Sequence, residues 1–417
     1  MEEADVVIVG AGIAGLAAAL ALKIVGVRAL VLERGEGLRT TGAALGLSIN
    51  AWVALDVLGV GHKLTAIYAS CSKAILTNVE NRSIQEVSFA TSDKRAREFS
   101  AVHRKALLEA LAEDLPSGTI RFSSKVKSIE NQSQEGSEFA VIRMDNGASI
   151  KAKALIGCDG VHSVVARWLG LRPAVDAGRW AVRGLALFPE GHGQNPVMRQ
   201  FVSAGQRAGF VPLNDKELYW FLTYVFSSKG EDIPHDPELI KREVIDHLAK
   251  DLPPEYLSMV EHSELSTVTW SELLYRRPWD VIFGTLSKGS VTVAGDAMHA
   301  MTPDLGQGGC SALEDAVVLG RHIGDLIIRN KRLVAGDQLA EAFRRYANER
   351  RWRVAGLITA SYLSGWVQVN NSGWLMKFLR DMVFYKFLYK VVLSFREYDC
   401  GKLPTVLKSE KNQRKID

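Results

Sequence analysis

The sequence has few cysteines and no close pair of them. Cys71, Cys158, Cys310 and Cys400 stand far apart and form no Cys-x-x-Cys unit. That spacing excludes the common zinc sites and a disulfide scaffold, so no metal is expected and a reducing compartment fits best. Charge of one sign is also scarce. A net charge of +4 is spread over 417 residues, with no zinc-finger spacing and no basic arm interleaved with aromatics, so no nucleic-acid partner is expected. Long hydrophobic runs are missing too. The uncharged stretch from Val6 to Leu22 is short for a membrane span and is broken by three glycines. Acidic Glu2, Glu3 and Asp5 stand where the basic region of a signal peptide would lie, so the expected location is cytoplasmic. Internal repeats and low-complexity segments are absent.

Core-forming material is plentiful. With 47% hydrophobic residues in 417, the chain can build two domains, or one large domain with a second layered onto it. The first stretch, "ADVVIVGAGIAGLAAALALKIVGVRALVLERGE", reads as strand, tight turn, helix and second strand. Val6 to Val9 suit a parallel strand buried on both faces. Gly10, Gly12 and Gly15 follow in the spacing G-x-G-x-x-G, with Ala14 inside the same turn. The first glycine permits the turn, the second lets backbone approach a pyrophosphate, and the third lets helix pack closely on strand. The helix start offers unpaired N–H groups and a positive dipole end to that pyrophosphate. Glu33, at the end of the second strand, can accept hydrogen bonds from a ribose 2′-hydroxyl and disfavours a 2′-phosphate, which points to FAD or NAD rather than NADP. Arg34 beside it either stacks near an adenine or is a surface charge.

A distant stretch, "GSVTVAGDAMHAMTPDLGQGGCSALEDAVVLGRHI", decides which dinucleotide is expected. Asp296 follows the strand Val291–Ala294 at the sheet edge where open α/β folds bind ligands, and its carboxylate can accept ribityl hydroxyls. Pro303 stiffens the next turn. Gly306, Gln307, Gly308 and Gly309 then open a helix running from about Cys310 to Ile323, whose N–H groups can face the flavin edge that gathers negative charge on reduction. His299 is read as either a base or a packing and hydrogen-bonding residue. Between the two regions, "KALIGCDGVHSVVAR" again runs from an apolar strand into Asp159 and Gly160. It is either a cofactor loop or a plain strand-to-helix turn with an N-cap.

Together these three motifs, in this order, resemble the FAD-dependent monooxygenases of the para-hydroxybenzoate hydroxylase type, and most closely their plant salicylate-hydroxylase-like and zeaxanthin-epoxidase-like branch. The resemblance spans roughly Asp5 to Arg351. It implies that Gly10, Gly12 and Gly15 form the pyrophosphate loop and that Glu33 binds the adenosine ribose. Arg104, in "VHRKALLEAL", would head a helix and reach the FAD. Asp159 matches an Asp-Gly motif tied to both FAD and NAD(P)H. Asp296 matches the ribityl-binding aspartate, and Pro303 to Gly309 the loop beside the flavin ring. Ala300 departs from the family pattern, which commonly has proline after His299, a change expected to loosen the loop.

The implied fold class is α/β: a Rossmann-like FAD-binding domain with an inserted antiparallel β-sheet substrate domain and C-terminal helices. The expected division assigns 1–75, 98–177 and 285–350 to the FAD-binding domain, 76–97 and 178–284 to the substrate sheet, and 351–417 to a helical segment and tail. Strand-like alternation and aromatics mark the second region. Phe201, Phe210, Tyr219, Trp220, Phe221 and Tyr224 are its candidate pocket walls, though alternation turns about half of such residues away. Within it, "EDIPHDPELIKREVIDHLAKDLPPEYLSMV" reads as an amphipathic helix with proline boundaries. After Arg351 the chain becomes aromatic and cationic, with Lys377, Arg380, Lys386 and Lys390 at helical spacing. That pattern suits a helix packed on the first domain, or one lying on a membrane surface.

As the resemblance implies, NAD(P)H would reduce the flavin and O2 would add at C4a. The resulting hydroperoxide would hydroxylate or epoxidise a small aromatic or isoprenoid substrate. With no second glycine fingerprint, the nicotinamide nucleotide would bind transiently. The alternatives are a flavin-dependent reductase or oxidase on the same fold, or a non-enzymatic binding protein of GDP-dissociation-inhibitor type.

Overall fold

The computed structural model describes residues 1–39, 43–89, 97–134, 137–203, 205–225, 236–369 and 396–405. The C-terminal cations Lys377, Arg380, Lys386 and Lys390, and the final tail, lie outside the described residues. Two large sheets organise the chain. The first is built on the strand Glu2–Val9, which pairs in parallel with Ala29–Leu32 on one side and Ser149–Gly157 on the other. Val291–Val293 adds a further parallel strand beyond Ser149–Gly157. Val6, Val7 and Ile8 are fully buried, as the unbroken apolar run predicts, and the helix Ile13–Ile24 contacts this strand. The strands thus bring Gly10, Asp159 and Asp296, each just past a strand's C-terminal end, to one edge of one sheet.

Two helices seal one face. The helix Ile13–Ile24 packs along the long helix Gly308–Asn330. Gly320 and Gly324 make this possible: a Cβ at Gly320 would come within 2.9 Å of Ala21 Cβ, and one at Gly324 within 2.9 Å of Val25 Cγ1. The same two glycines admit Leu403 and Pro404 from the far end of the chain. The long helix starts earlier and ends later than the periodicity predicts, because it continues to a left-handed cap at Lys331.

The second sheet has seven strands, in the order Thr269–Tyr275, Val175–Leu187, Glu217–Val225, Gln206–Pro212, Met198–Ser203, Lys73–Asn78 and Ile84–Ser88. Its pairs are antiparallel except one: Met198–Ser203 runs parallel to Lys73–Asn78, because that neighbour arrives from a distant part of the chain. The single helix expected within this region, between Glu217–Val225 and Thr269–Tyr275, is broken. Pro237–Glu243 passes into a wider π-helical turn, Val244–Leu248, and a separate helix, Pro254–Glu261, starts after Pro253. Adjacent prolines each remove an N–H donor, and the first fits only outside the new helix. These helices cover the outer face of the second sheet.

Candidate cofactor and active site

Backbone constraints explain two of the three fingerprint glycines, and open space explains the third. Gly10 has φ +101°, and a Cβ there would lie 2.5 Å from the Cys158 carbonyl oxygen. A Cβ at Gly15 would overlap the Gly10 carbonyl oxygen. At Gly12, by contrast, a Cβ would meet nothing within 4 Å. Packing does not demand a glycine there, whereas close approach of a phosphate to the helix start does. Ala14 instead packs between loops. It is buried against the turn at Gly295, where an added Cβ would sit 2.7 Å from its methyl. Glu33 turns back onto the glycine loop, its Oε2 accepting the Ala11 N–H at 2.8 Å and its Oε1 the Gly35 N–H at 2.9 Å. Arg34 is exposed.

Asp159 and Asp296, equivalent in sequence appearance, differ in the structure. The Asp159 carboxylate is occupied: it accepts from the Ser163 hydroxyl and, at 2.6 Å, from the Val164 N–H, while Ser163 itself caps the helix Val164–Trp168 by accepting the Ala166 N–H at 2.8 Å. Burial raises its pKa against those hydrogen bonds. Its location beside Gly10 is what the cofactor reading expects, while its bonds are those of the N-cap reading. Asp296 is the exposed residue in the otherwise buried run Val291–Ala300. A left-handed Gly295, φ +61°, turns the chain so that this carboxylate points outward.

Asp296 borders the start of the long helix, since a Cβ on Gly308 would lie 4.0 Å from its Oδ1. Gly309 faces the first loop, where a Cβ would contact Ile13 Cδ1 at 3.5 Å. Pro303 opens a 3-10 turn, and Gly306, at φ +64°, carries the chain into Gln307. No side chain caps the helix start at Gln307, and its first turn holds no acid, so its N–H groups are free to meet a ligand. Arg104 begins the helix Arg104–Glu113 with its Nε buried and unpartnered. Burial lowers its pKa; the charge of Asp296 opposes this, and Arg39 and Arg183 reinforce it. Gly12 and Arg104 therefore both fit FAD: one supplies an open backbone, the other a guanidinium with a donor to spare.

His299 is not placed to act as a base. It is fully buried, and its Nε2 meets Asp315 Oδ2 at 2.7 Å. The same Oδ2 accepts the Gly295 N–H at 2.8 Å, so the pair fixes the turn that aims Asp296. Asp315 Oδ1 takes Arg350 Nε at 2.7 Å, and Arg350 reaches Glu314, which also binds Arg353 and Asn50. Asn50 in turn donates to Gln307 at 3.0 Å. Burial disfavours the charged forms of Asp315 and Glu314, yet the surrounding cations outweigh it and hold both pKa values below their ordinary range. Ala300, where the family commonly has proline, ends the helix Asp296–His299 as its C-cap. Its carbonyl accepts the Arg276 N–H at 2.8 Å, and Arg276 also binds the Ala297 carbonyl at 3.1 Å.

The second sheet divides the predicted pocket residues by face. Phe201, Phe210, Trp220 and Tyr224 pack with Tyr256 in a core on the helix-covered side, away from the glycine loops. Tyr219 and Phe221 occupy the opposite face and are partly exposed. That inner face carries Leu185 and Val211 into the core of the first domain. It also carries three arginines that sequence reading misses, since nothing in their spacing marks them. Arg179 forms a two-pronged bond to Asp304 in the turn Pro303–Leu305, 2.8 Å at each oxygen. Arg207 reaches the Asp304 carbonyl at 3.2 Å and Gln200 at 2.8 Å. Arg183 binds Ser271 at 2.7 Å. A cavity of about 1130 Å3 lies elsewhere, at the opposite ends of the parallel strands. Among its lining charges, Arg121 pairs with Glu2 and Lys153 with Asp5.

No His, Cys, Asp and Glu cluster that could hold a metal occurs among the described residues, and no described helix is long and apolar enough to cross a membrane.

The chain is similar to known proteins. The family described as FAD binding domain matches residues 3–361. Monooxygenase 2 of Arabidopsis thaliana is 39% identical over 96% of this chain and 98% of its own length. Chloroplastic zeaxanthin epoxidase of an Oncidium hybrid cultivar is 27% identical over 84% of this chain and 53% of that protein. Among solved structures, Klebsiella pneumoniae HpxO complexed with FAD and uric acid superposes with a TM-score of 0.76 at 23% identity, covering 95% of this chain and 93% of that one. With a family match over most of its length and relatives of this kind, the chain belongs to the FAD binding domain family and, within it, to the FAD-dependent monooxygenases.

Proposed function

We propose that the protein uses NAD(P)H and O2 to hydroxylate or epoxidise a small aromatic or isoprenoid substrate. The observation that carries this reading is the inner face of the second sheet, which places Tyr219 and Phe221 on the side that Arg179 and Arg207 bind to the turn Pro303–Leu305. Bound FAD would accept hydride from the nicotinamide and activate oxygen. The chain's own residues do the rest. Gly12, Arg104, Asp296 and the start of the helix Gly308–Asn330 would hold the cofactor at the sheet edge. The N–H groups at that helix start favour negative charge on the flavin. Arg179 and Asp304 would hold the aromatic face at a fixed distance from the turn Pro303–Leu305. The buried His299–Asp315 pair leaves the site without an assigned base, which suits a substrate already rich in electrons.

The test is turnover of reduced nicotinamide under isotope-labelled O2 with a panel of phenols, indoles and isoprenoids. One labelled oxygen atom per product molecule is the expected result. Consumption of reductant with label found only in hydrogen peroxide or water, across every compound that stimulates reductant use, would contradict the proposal and point to an oxidase.

A further inference from the structure

Exposed aromatic side chains are confined to one part of the molecule. Among the described residues they are Trp279, Phe283, Trp352 and Trp366. All four belong to two elements in contact, the short helix Pro278–Ile282 with its C-cap Phe283, and the long helix Asp337–Val369. Phe283 is 84% exposed, Trp352 68% and Trp279 52%. Arg351 ties the two elements together, its guanidinium donating to the carbonyls of Val281, Ile282 and Gly284. Trp352 follows directly, and Thr359, Leu363 and Trp366 recur at helical spacing from it, all exposed, so they share one face. That face is uncharged, since no charged residue occurs from Val354 to Val369. A continuous apolar face of this kind marks a surface that something else covers.

Cations accompany the aromatics. Arg277 lies over the Trp279 ring, 6.0 Å from its centroid, and exposed Arg172 stands 3.8 Å from Asp280. Asp280, the one acid of the short helix, is buried, and the long helix has no acid after Glu349. The sequence beyond Val369 keeps the same character, with Lys377, Arg380, Lys386 and Lys390 against the single acid Asp381 in 370–395. We propose that Trp279 and Phe283, with the stripe from Trp352 to Trp366, dock on the surface of an anionic lipid bilayer. Uncharged aromatics favour the headgroup level, and arginines beside them meet the lipid phosphates. Contact is peripheral, because no described helix is long and apolar enough to cross a membrane. It also adjoins the framework of the site: a Cβ at Gly365 would overlap the Arg179 guanidinium that holds Asp304. Lipid docking of this kind does not depend on the reaction proposed above.

Flotation of the FAD-loaded full chain with lipid vesicles is the test. Vesicles of phosphatidylcholine mixed with phosphatidylglycerol are expected to bind it about tenfold or more strongly than phosphatidylcholine alone, with binding weakened by salt. Phe283→Ser combined with Trp352→Ser should lower that binding about tenfold or more while FAD content and melting temperature stay as in the wild type, both positions being exposed. Ile84→Ser, at an exposed position on the edge strand Ile84–Ser88 of the second sheet, should change nothing. Failure of the wild type to float with anionic vesicles, or equal flotation with neutral ones, would overturn the inference whether or not the variants fold. Undiminished binding by the folded double variant would overturn it too, by moving the lipid contact to another part of the chain. Sedimentation without lipid covers the other occupant: a dimer abolished by the double variant would assign this face to a second copy of the chain instead.

Discussion

Three glycines that look alike in the sequence have different physical reasons, and substitution separates them. Gly15→Ala must displace the Gly10 carbonyl on the adjoining turn. It is expected to destabilise the fold by about 2–4 kcal/mol, in the range of severe overpacking. Gly12→Ala meets no protein atom, so its stability should change by less than about 0.5 kcal/mol while FAD affinity drops. Thermal melts of the apoproteins together with FAD titration check both. Loss of stability in Gly12→Ala would remove the distinction. Asp296 gives a third case: its exposed carboxylate is part of no core, so Asp296→Ala should fold normally and bind FAD about tenfold more weakly or worse. Unchanged affinity in a fluorescence titration would remove its assigned role. Single residues are legible in the sequence where one backbone rule dictates one residue type, as at Gly10 and Gly15. His299 stays open at that level, because only the fold reveals Asp315 at 2.7 Å from its ring.

Between elements, the buried charges couple the long helix Gly308–Asn330 to the later helix Asp337–Val369 and to the turn that presents Asp296. Asp315→Ala removes one of the two carboxylates that pair buried Arg350 and the partner of buried His299, and is expected to cost about 3–5 kcal/mol, far more than any exposed ion pair. The pH dependence follows from the lowered carboxyl pKa values of Asp315 and Glu314. A folded-state pKa below the unfolded one means stability that is present above the unfolded value and lost as pH falls through the folded value. Since the ordinary values are 3.8 and 4.5, the loss belongs to the acid side of those pH values. Urea unfolding at pH 7 and at about pH 3 should therefore show a smaller acid loss in Asp315→Asn than in the wild type. An equal loss in both would mean that the network contributes nothing to acid sensitivity.

The contact between Asp304 and Arg179 couples the two sheets in a different way. Breaking it with Arg179→Met should leave FAD content intact but uncouple reductant use from product, with more peroxide per nicotinamide oxidised. Peroxide yield equal to wild type would show that this clamp does not control the site. Neither network is legible in the sequence. Arg179 and Asp304 lie 125 positions apart and carry no pattern, so only the fold brings them together. The break at Pro253 is half legible: the prolines predict the boundaries of one helix, whereas they divide two.

For the whole molecule, the parallel sheet is readable because strands buried on both faces leave unbroken apolar runs before glycine turns. The three loops meet at one edge because each follows a parallel strand of the same sheet. The pocket wall is less readable. Alternation identifies two faces of a strand but not which one meets the neighbouring domain, and Phe201, Phe210 and Tyr224 prove to be core of the outer face. The inner-face arginines Arg179, Arg183 and Arg207 have no sequence signature at all. Everything proposed for the reaction requires that loops from three distant parts of the chain hold a single FAD. Titration of the apoprotein with FAD, followed by the quenching or polarisation of flavin fluorescence, tests this directly. Saturation is expected at one FAD per chain, with affinity reduced separately by Gly12→Ala, Arg104→Ala and Asp296→Ala. Failure to bind FAD, or loss confined to the Gly12 variant, would show that the three loops do not form one cofactor site.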